Sequence, residues 1–581
     1  MDMLKVTVNG VEVEAPKGTT VLDAAKLAEV EIPTLCYMRK INEIGACRIC
    51  MTEVDEGRGK RLVAACVYPI SNGMKIYTNT QTVINSRKTT LELILSTHNK
   101  KCLSCVRSDN CELQKLCRDL GVEDEFAFKG ENEQYEIDFS ATHMIRDNSK
   151  CVLCRRCVAA CEQQGVGVIG PNNRGFKTHI SSAYELGLAE TSCISCGQCI
   201  AVCPVGAVTE KDCTKEVFAA LADPDKYVVV QTAPSVRAAL GEEFGFPIGT
   251  NVEGKMASAL RQMGFDGIFD TDFGADLTIM EEANELVERV SKGGYKLPMI
   301  TSCSPGWVKY CEHYFPDLID HLSTCKSPMT MQGAVAKTYY AEKLGRDPKT
   351  IVSVAIMPCT AKKFERTRDS EDAAGVPDID YVLTTREFAR MIKRIGIKFA
   401  DLPDGKFDSP FGITTGAAVI FGATGGVMEA ALRTASYFIT GKDPEEVDFH
   451  GVRGTQGIKE ASYKIGDLDV KVAVASCTAN AAILLEQIRK GESPYTFIEV
   501  MACPGGCVNG GGQPQQPMSV RNFTDLRAER AKALYSEDAG SELRCSHQNP
   551  EIKAIYAEYF EKPGSHKAHE VLHTGYVKRG M

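Results

Sequence analysis

The sequence predicts a multidomain protein that mixes α+β and α/β units, and three observations predict it. Its 581 residues exceed the roughly 250–300 that one hydrophobic core sustains. Sixteen of its 25 cysteines fall between Cys36 and Cys203, which marks off an N-terminal part of unusual chemistry. Beyond about residue 226 short apolar strands recur at "YVVVQT" (227–232), "LPMITS" (297–302), "IVSVAIM" (351–357), "VKVAVAS" (470–476) and "FIEVMA" (497–502). Apolar runs of that length, separated by helical patterns, are the signature of an α/β domain.

Composition narrows the function classes. A hydrophobic share of 44% and a charged share of 25% suit a soluble globular protein, and a net charge of −9 leaves no basic footprint for nucleic acid. No run of 18 apolar residues exists, so no membrane span is expected. The opening "MDMLKVTVNGVEVEAP" alternates like a strand and lacks an apolar export core, so a cytoplasmic location is expected. In a large unexported chain, clustered cysteines point to metal or redox chemistry rather than to disulfides.

Residues 1–80 begin with two alternating strands joined by Asn9-Gly10, a hairpin signal, followed by the helical pattern "TTVLDAAKLAEV". Together with the loop-borne Cys36, Cys47, Cys50 and Cys66, this reads as a β-grasp-like unit holding a 2Fe–2S cluster, with zinc or free thiols as the alternatives. Residues 81–125 are helical and polar around "HNKKCLSCVRSDNC". His98, Cys102, Cys105 and Cys111 supply one imidazole and three thiols for a 4Fe–4S cluster, although Cys117 offers an all-cysteine set instead.

Residues 140–212 contain the clearest repeat, "CVLCRRCVAAC" and "CISCGQCIAVCP", both C-x2-C-x2-C-x3-C. Three thiolates on one tight loop grip three corners of a cubane, and the fourth cysteine ligates the other cluster. Cys151, Cys154, Cys157 and Cys203 therefore form one 4Fe–4S set, and Cys193, Cys196, Cys199 and Cys161 the other. After the linker "ADPDKY" (222–227), three strands run into loops bearing Cys303, Cys359 and Cys503, with Cys507 close behind among glycines. Ligand sites form at the carboxyl ends of such strands, so these four cysteines are expected to converge on one buried centre.

The segments "TSCSPGW", "MPCTAKKFE" and "EVMACPGGCVNGGGQP" resemble the three active-site signatures of the FeFe hydrogenases, and the resemblance extends over nearly the whole chain. "APSVRAALGEEF" (233–244), "DFGADLTIMEEANELVERV" (272–290) and "FGATGGVMEAALR" (421–433) resemble further parts of that family's catalytic domain. The resemblance implies an H-cluster domain over 226–520, a small-subunit-like tail over 521–581 and His98 as the ligand beside a spare Cys117. It implies a cubane that shares a cysteine sulfur with a diiron unit carrying CO, cyanide and an azadithiolate. Cys359, Cys503 and Cys507 match cubane ligands, Cys507 being the bridging one. Lys362 matches the lysine that hydrogen-bonds a cyanide, whereas the residues alone also read as a solvated Lys362-Lys363 pair. Ala233, Pro234, Ser235, Met357, Phe421 and Met501 match residues lining the diiron unit.

Two departures stand out. Relatives of this family read T-S-C-C-P, the first cysteine passing protons and the second ligating; here Ser304 takes the ligand position. An alkoxide suits iron–sulfur chemistry poorly, so Cys303 is expected to ligate with Ser304 carrying protons; a serine ligand and an altered cubane corner are the alternatives. Met329 stands where glutamine is common. Glu282, Glu285 and Arg289 share one face of a helix, which spacing alone reads as a salt-bridged surface. By resemblance, Glu282, Ser323 and Glu285, ending at Arg289, form the proton relay.

The resemblance thus implies reversible oxidation of hydrogen, with electrons passing from the H-cluster through three accessory 4Fe–4S clusters and one 2Fe–2S cluster. The N-terminal arrangement also resembles the large iron–sulfur subunit of complex I. That implies flavin- and iron–sulfur-containing subunits that oxidise NAD(P)H as partners, with ferredoxin and possible electron bifurcation. A stand-alone ferredoxin hydrogenase is the first alternative. The second, a sensory electron-transfer protein, would be expected to carry a signalling domain, and none is visible after residue 520.

Overall fold

The computed structural model describes residues 2–580 except 109, 130, 131, 293 and 294. The N-terminal unit is a five-stranded sheet in the order 11–16, 3–8, 75–77, 51–55, 60–64. Its first hairpin turns at Asn9 and Gly10, with φ of 48° and 91°. Left-handed φ at both central residues gives the primed turn that matches strand twist. Thr20 caps the helix Val21–Leu27 by accepting from the Asp23 amide at 3.1 Å. The helices Gln81–Thr97 and Glu112–Asp119 flank the His98–Cys111 loop.

The large domain holds two four-stranded sheets. One runs 267–270, 227–232, 351–357, 381–384, all parallel; the other runs 299–300, 497–501, 468–476, 458–465. In the second, only the edge hairpin 458–465/468–476 is antiparallel. Strands 228–230 and 352–356 are buried on both faces, the pattern of sheets covered by helices on each side. The strand expected at 297–302 pairs only over Met299–Ile300, because Pro298 has no N–H to give and the chain then turns into the site loop.

The helix Thr271–Lys292 packs against the helices Pro328–Val335 and Gly426–Thr440. Residues 572–574 lie antiparallel to 324–326, through Lys326 N–H to Leu572 O at 2.9 Å and Thr574 N–H to Thr324 O at 2.8 Å. Among the described residues, no helix is long and apolar enough to cross a membrane.

Candidate active site

The carboxyl ends of strands 227–232, 351–357, 299–300 and 497–501 open onto one cavity of about 60 Å³. Ala233, Pro234, Ser235, Met357, Phe421 and Met501 line it together with Cys303, Cys359, Cys507 and Lys362. Met329 also faces it, as do Thr271, Pro328 and Gly422, which the sequence did not single out. The walls are mainly apolar. Ser235 Oγ is buried beside them without a hydrogen-bond partner, as a polar atom awaiting a bound group would be.

Cys359, Cys503 and Cys507 are near neighbours, and burial followed by the Cys359 charge pushes the Cys507 thiol up to about 12. Three buried thiols that repel one another's charge become thiolates only beside a compensating cation, which is what an iron–sulfur group supplies. Backbone closes in around them. A Cβ on Gly506 would meet the Thr424 nitrogen at 2.7 Å, and one on Gly510 the Pro358 oxygen at 2.3 Å. The donor set and the glycine walls fit a cubane with a small apolar-walled unit attached.

Cys303 and Ser304 part company at the loop. Cys303 lines the cavity, and burial, then Glu282, then Cys507 hold its thiol well above the usual range. Ser304 turns toward the other ligand loop, where its Oγ accepts from the Ala502 amide at 3.2 Å, next to Cys503.

Lys362 and Lys363 are not a solvated pair. Burial opposes the Lys362 charge, yet Glu365 at 2.7 Å outweighs it and holds the ammonium charged. Its Nζ donates to Ser327 Oγ at 2.7 Å and to the Cys303 carbonyl at 3.3 Å, so it is fixed at the cavity wall. Lys363 points elsewhere, to Glu387 at 2.9 Å.

Nor is the glutamate face of Thr271–Lys292 a surface. Glu282 is 1% exposed, both carboxyl oxygens lack partners, and burial followed by Glu285 raises its pKa to about 8. Ser323 Oγ donates to Glu285 Oε2 at 2.9 Å, and Arg289 holds Glu285 Oε1 through Nη2 at 2.6 Å and Nε at 3.0 Å. Cys303, Glu282, Ser323, Glu285 and Arg289 thus run from the cavity toward the far end of the helix.

The N-terminal cysteines gather as their spacing implies. Cys50 Sγ lies 3.3 Å from Cys66 Sγ, and Cys36 adjoins Cys47 and Cys50. All eight thiols of the 151–203 repeat line a single cavity. Cys157 has Cys154, Cys151 and Cys203 as its foremost thiol neighbours, while Cys199 has Cys193 and Cys161, the crossed pairing. Both loops use left-handed backbone at equivalent places, Leu153 and Arg155 in one and Ser195 and Gly197 in the other. That repetition turns three sulfurs inward from each tight loop. In the third group Cys117 lies beside Cys111 and Cys102. His98 is drawn down to about 4 by burial, and its buried Nδ1 has no partner, which leaves that nitrogen free to ligate.

The second thiol loop is pressed onto the active site. Thr360 Oγ1 donates to Ser195 O at 2.8 Å, Gln198 Nε2 donates to Asn509 O at 2.9 Å, and Cys196 is a charged neighbour of Cys503. A Cβ on Gly511 would sit 2.4 Å from the Cys196 oxygen and 2.6 Å from the Gly197 Cα, with backbone on both sides. Gly511→Ala is therefore expected to cost about 1–3 kcal/mol through overpacking. Thermal denaturation reads the loss, and slower dye reduction reports the widened gap.

Comparison with known proteins follows the same layout. A family described as iron-only hydrogenase large subunit, C-terminal domain, matches residues 226–511, and the iron hydrogenase small subunit family matches 524–579. A 2Fe–2S cluster binding domain matches 1–81, an NADH-ubiquinone oxidoreductase-G iron–sulfur binding region 87–125, and a 4Fe–4S dicluster domain 150–207. The chain is 50% identical to the NADP-reducing hydrogenase subunit HndD of Solidesulfovibrio fructosivorans, with all of both chains covered. It is 43% identical to iron hydrogenase 1 of Clostridium pasteurianum over 99% of this chain and 100% of that one. A solved FeFe-hydrogenase structure from Chlamydomonas reinhardtii, 42% identical, covers 63% of this chain and 99% of its own at a TM-score of 0.55.

Proposed function

Because this chain belongs to the iron-only, or FeFe, hydrogenase family, we propose that it is the hydrogen-converting subunit of a larger assembly. It oxidises hydrogen reversibly to protons and electrons and passes the electrons through its iron–sulfur domains to partner subunits. The observation that carries the reading is a single cavity in which the diiron-lining set, Lys362 and the thiols Cys303, Cys359 and Cys507 meet.

Cys359, Cys503 and Cys507 would hold the cubane of an H-cluster, and Lys362, fixed by Glu365 and Ser327, would donate to the diiron unit's outer ligands. That group supplies the cleavage and formation of the hydrogen–hydrogen bond. The geometry supports exchanging the roles expected of the two loop residues. Cys303, facing Glu282, carries the proton, and Ser304, turned to the 502–503 loop, takes the cubane's fourth corner. Glu282, neutral at neutral pH through its burial, then passes the proton by Ser323 to Glu285.

Electrons leave on the opposite side, where Cys196 adjoins Cys503. Supported by the four thiol groups, the route comprises three 4Fe–4S clusters, with His98 as one ligand, and a 2Fe–2S cluster in a β-grasp unit at 1–80. The full-length match to an NADP-reducing hydrogenase subunit supports partner subunits; we infer that these bear flavin and are NAD(P)H-linked, that ferredoxin is a further carrier and that the assembly is cytoplasmic. Hydrogen-dependent dye reduction, accompanied by infrared bands of bound CO and cyanide, tests the assignment. Dye reduction without those bands defeats the H-cluster, and full physiological turnover of the isolated chain with ferredoxin alone defeats the flavin-bearing partner.

A further inference from the structure

We propose that protons leave this protein through Thr324 and His573, so that the C-terminal segment supplies the last proton acceptor and Arg289 serves only to orient Glu285. The inference rests on the relay reading of Glu282 and Glu285 given above. Its first ground is the chemistry of Arg289. A guanidinium offers five N–H donors and no acceptor. Its Nε and Nη2 are already committed to Glu285 Oε1, and Nη2 also donates to Leu322 O at 2.7 Å. It can hold a carboxylate in place, but it has no lone pair with which to take that carboxylate's proton.

The second ground is what meets the other oxygen. Glu285 Oε2 accepts from Ser323 Oγ at 2.9 Å, from the Thr324 amide at 3.1 Å and from Thr324 Oγ1 at 3.4 Å. Thr324 Oγ1 lies 2.8 Å from His573 Nδ1, and His573 Nε2 lies 3.1 Å from Glu281 Oε2. Glu281 is buried and held by the Tyr556 hydroxyl and by the Gly564 amide at 2.9 Å. A fixed carboxylate at Nε2 keeps a proton on that nitrogen and leaves Nδ1 as the acceptor that faces Thr324. The bridge of His573 to Cys325 sets this register. Thr324 is exposed, and the ring of His569, also exposed, lies tilted against that of His573 with centroids 4.1 Å apart, so the relay ends at water.

The step balances as a proton transfer alone. The O–H bond of protonated Glu285 breaks toward Thr324 Oγ1 while the threonine's own hydroxyl proton moves to His573 Nδ1. This leaves a carboxylate and an imidazolium, and no electron moves. The Thr324 hydroxyl then rotates back toward Glu285, and the imidazolium gives its Nδ1 proton to water beside the exposed Thr324. The groups that face His573 are Glu281, Glu285, the Cys325 thiol and His569.

The test uses the holoenzyme and dye-linked turnover over a series of buffer concentrations. His573→Gln, whose amide can still donate to Glu281, is expected to slow turnover by about 10²-fold in dilute buffer. Added imidazole should restore the rate, and iron content and the CO and cyanide infrared bands should not change. Thr324→Val, at an exposed position, should reproduce the loss. Deuterium uptake at the His573 ring carbon, followed by mass spectrometry, should respond to Glu285→Gln. Unchanged turnover and buffer dependence in both variants, or uptake indifferent to Glu285, overturns the exit. Full turnover in Glu282→Gln overturns the underlying relay instead, so the two failures are distinguishable.

Discussion

Glu282→Gln is expected to reduce hydrogen turnover by roughly 10²–10⁴-fold, the range typical of a lost proton-transfer group. The amide keeps the shape of the side chain but cannot give up and regain a proton between Cys303 and Ser323. Stability should move the other way. Burial, with Glu285 adding to it, raises Glu282 to about 8, well above an ordinary carboxyl. The native state therefore holds a proton that the unfolded chain has released, and the stability this group contributes falls as pH rises from about 4.5 toward 8. Glutamine carries no such penalty, so the variant's melting temperature should match or exceed the wild type's at pH 8 and depend less on pH across that window. For the wild type, proton reduction should decline as pH rises through about 8, because the donor form of Glu282 is lost. A variant that is inactive and also unfolded would assign Glu282 a packing role.

What the sequence made legible was local or strand-terminal. The doubled C-x2-C-x2-C-x3-C run carries its own geometry, and the left-handed residues at Leu153, Arg155, Ser195 and Gly197 realise it in both loops. Cys303, Cys359 and Cys503 could be brought together because each follows an apolar strand, and such strands end on one edge of a parallel sheet. The division of those strands between two sheets was not legible, since an apolar run does not name its neighbour. The glutamate face was ambiguous for the same reason. Spacing puts Glu282 and Glu285 on one side of a helix, but only the packing of the 322–325 segment against that side decides that it is covered. His573 left no signal at all: its partner Thr324 is 249 positions away, and the pairing of 572–574 with 324–326 is purely tertiary.

Cys303→Ala separates the two readings of the site loop, because they predict opposite losses. If Cys303 carries the proton, the alanine variant retains its cubane iron and its CO and cyanide bands, while turnover falls by roughly 10²–10⁴-fold. If it ligates, iron is lost and the bands disappear with it. The geometry favours the first outcome. Cys303 has the unpartnered Glu282 as its foremost titratable neighbour, whereas Ser304 engages the Ala502 amide beside Cys503. If Ser304 holds the fourth corner, an oxygen donor among three thiolates would make it the weakest held, since hard ligands match iron–sulfur chemistry poorly. Ser304→Cys should therefore slow iron release to a chelator, with turnover kept or increased, and Ser304→Ala should hasten it. Iron release unaffected by either change at position 304 would mean that the side chain there does not reach the cluster. The fourth corner would then fall to Cys303 or to a small exogenous ligand, and the Cys303→Ala iron content would decide which.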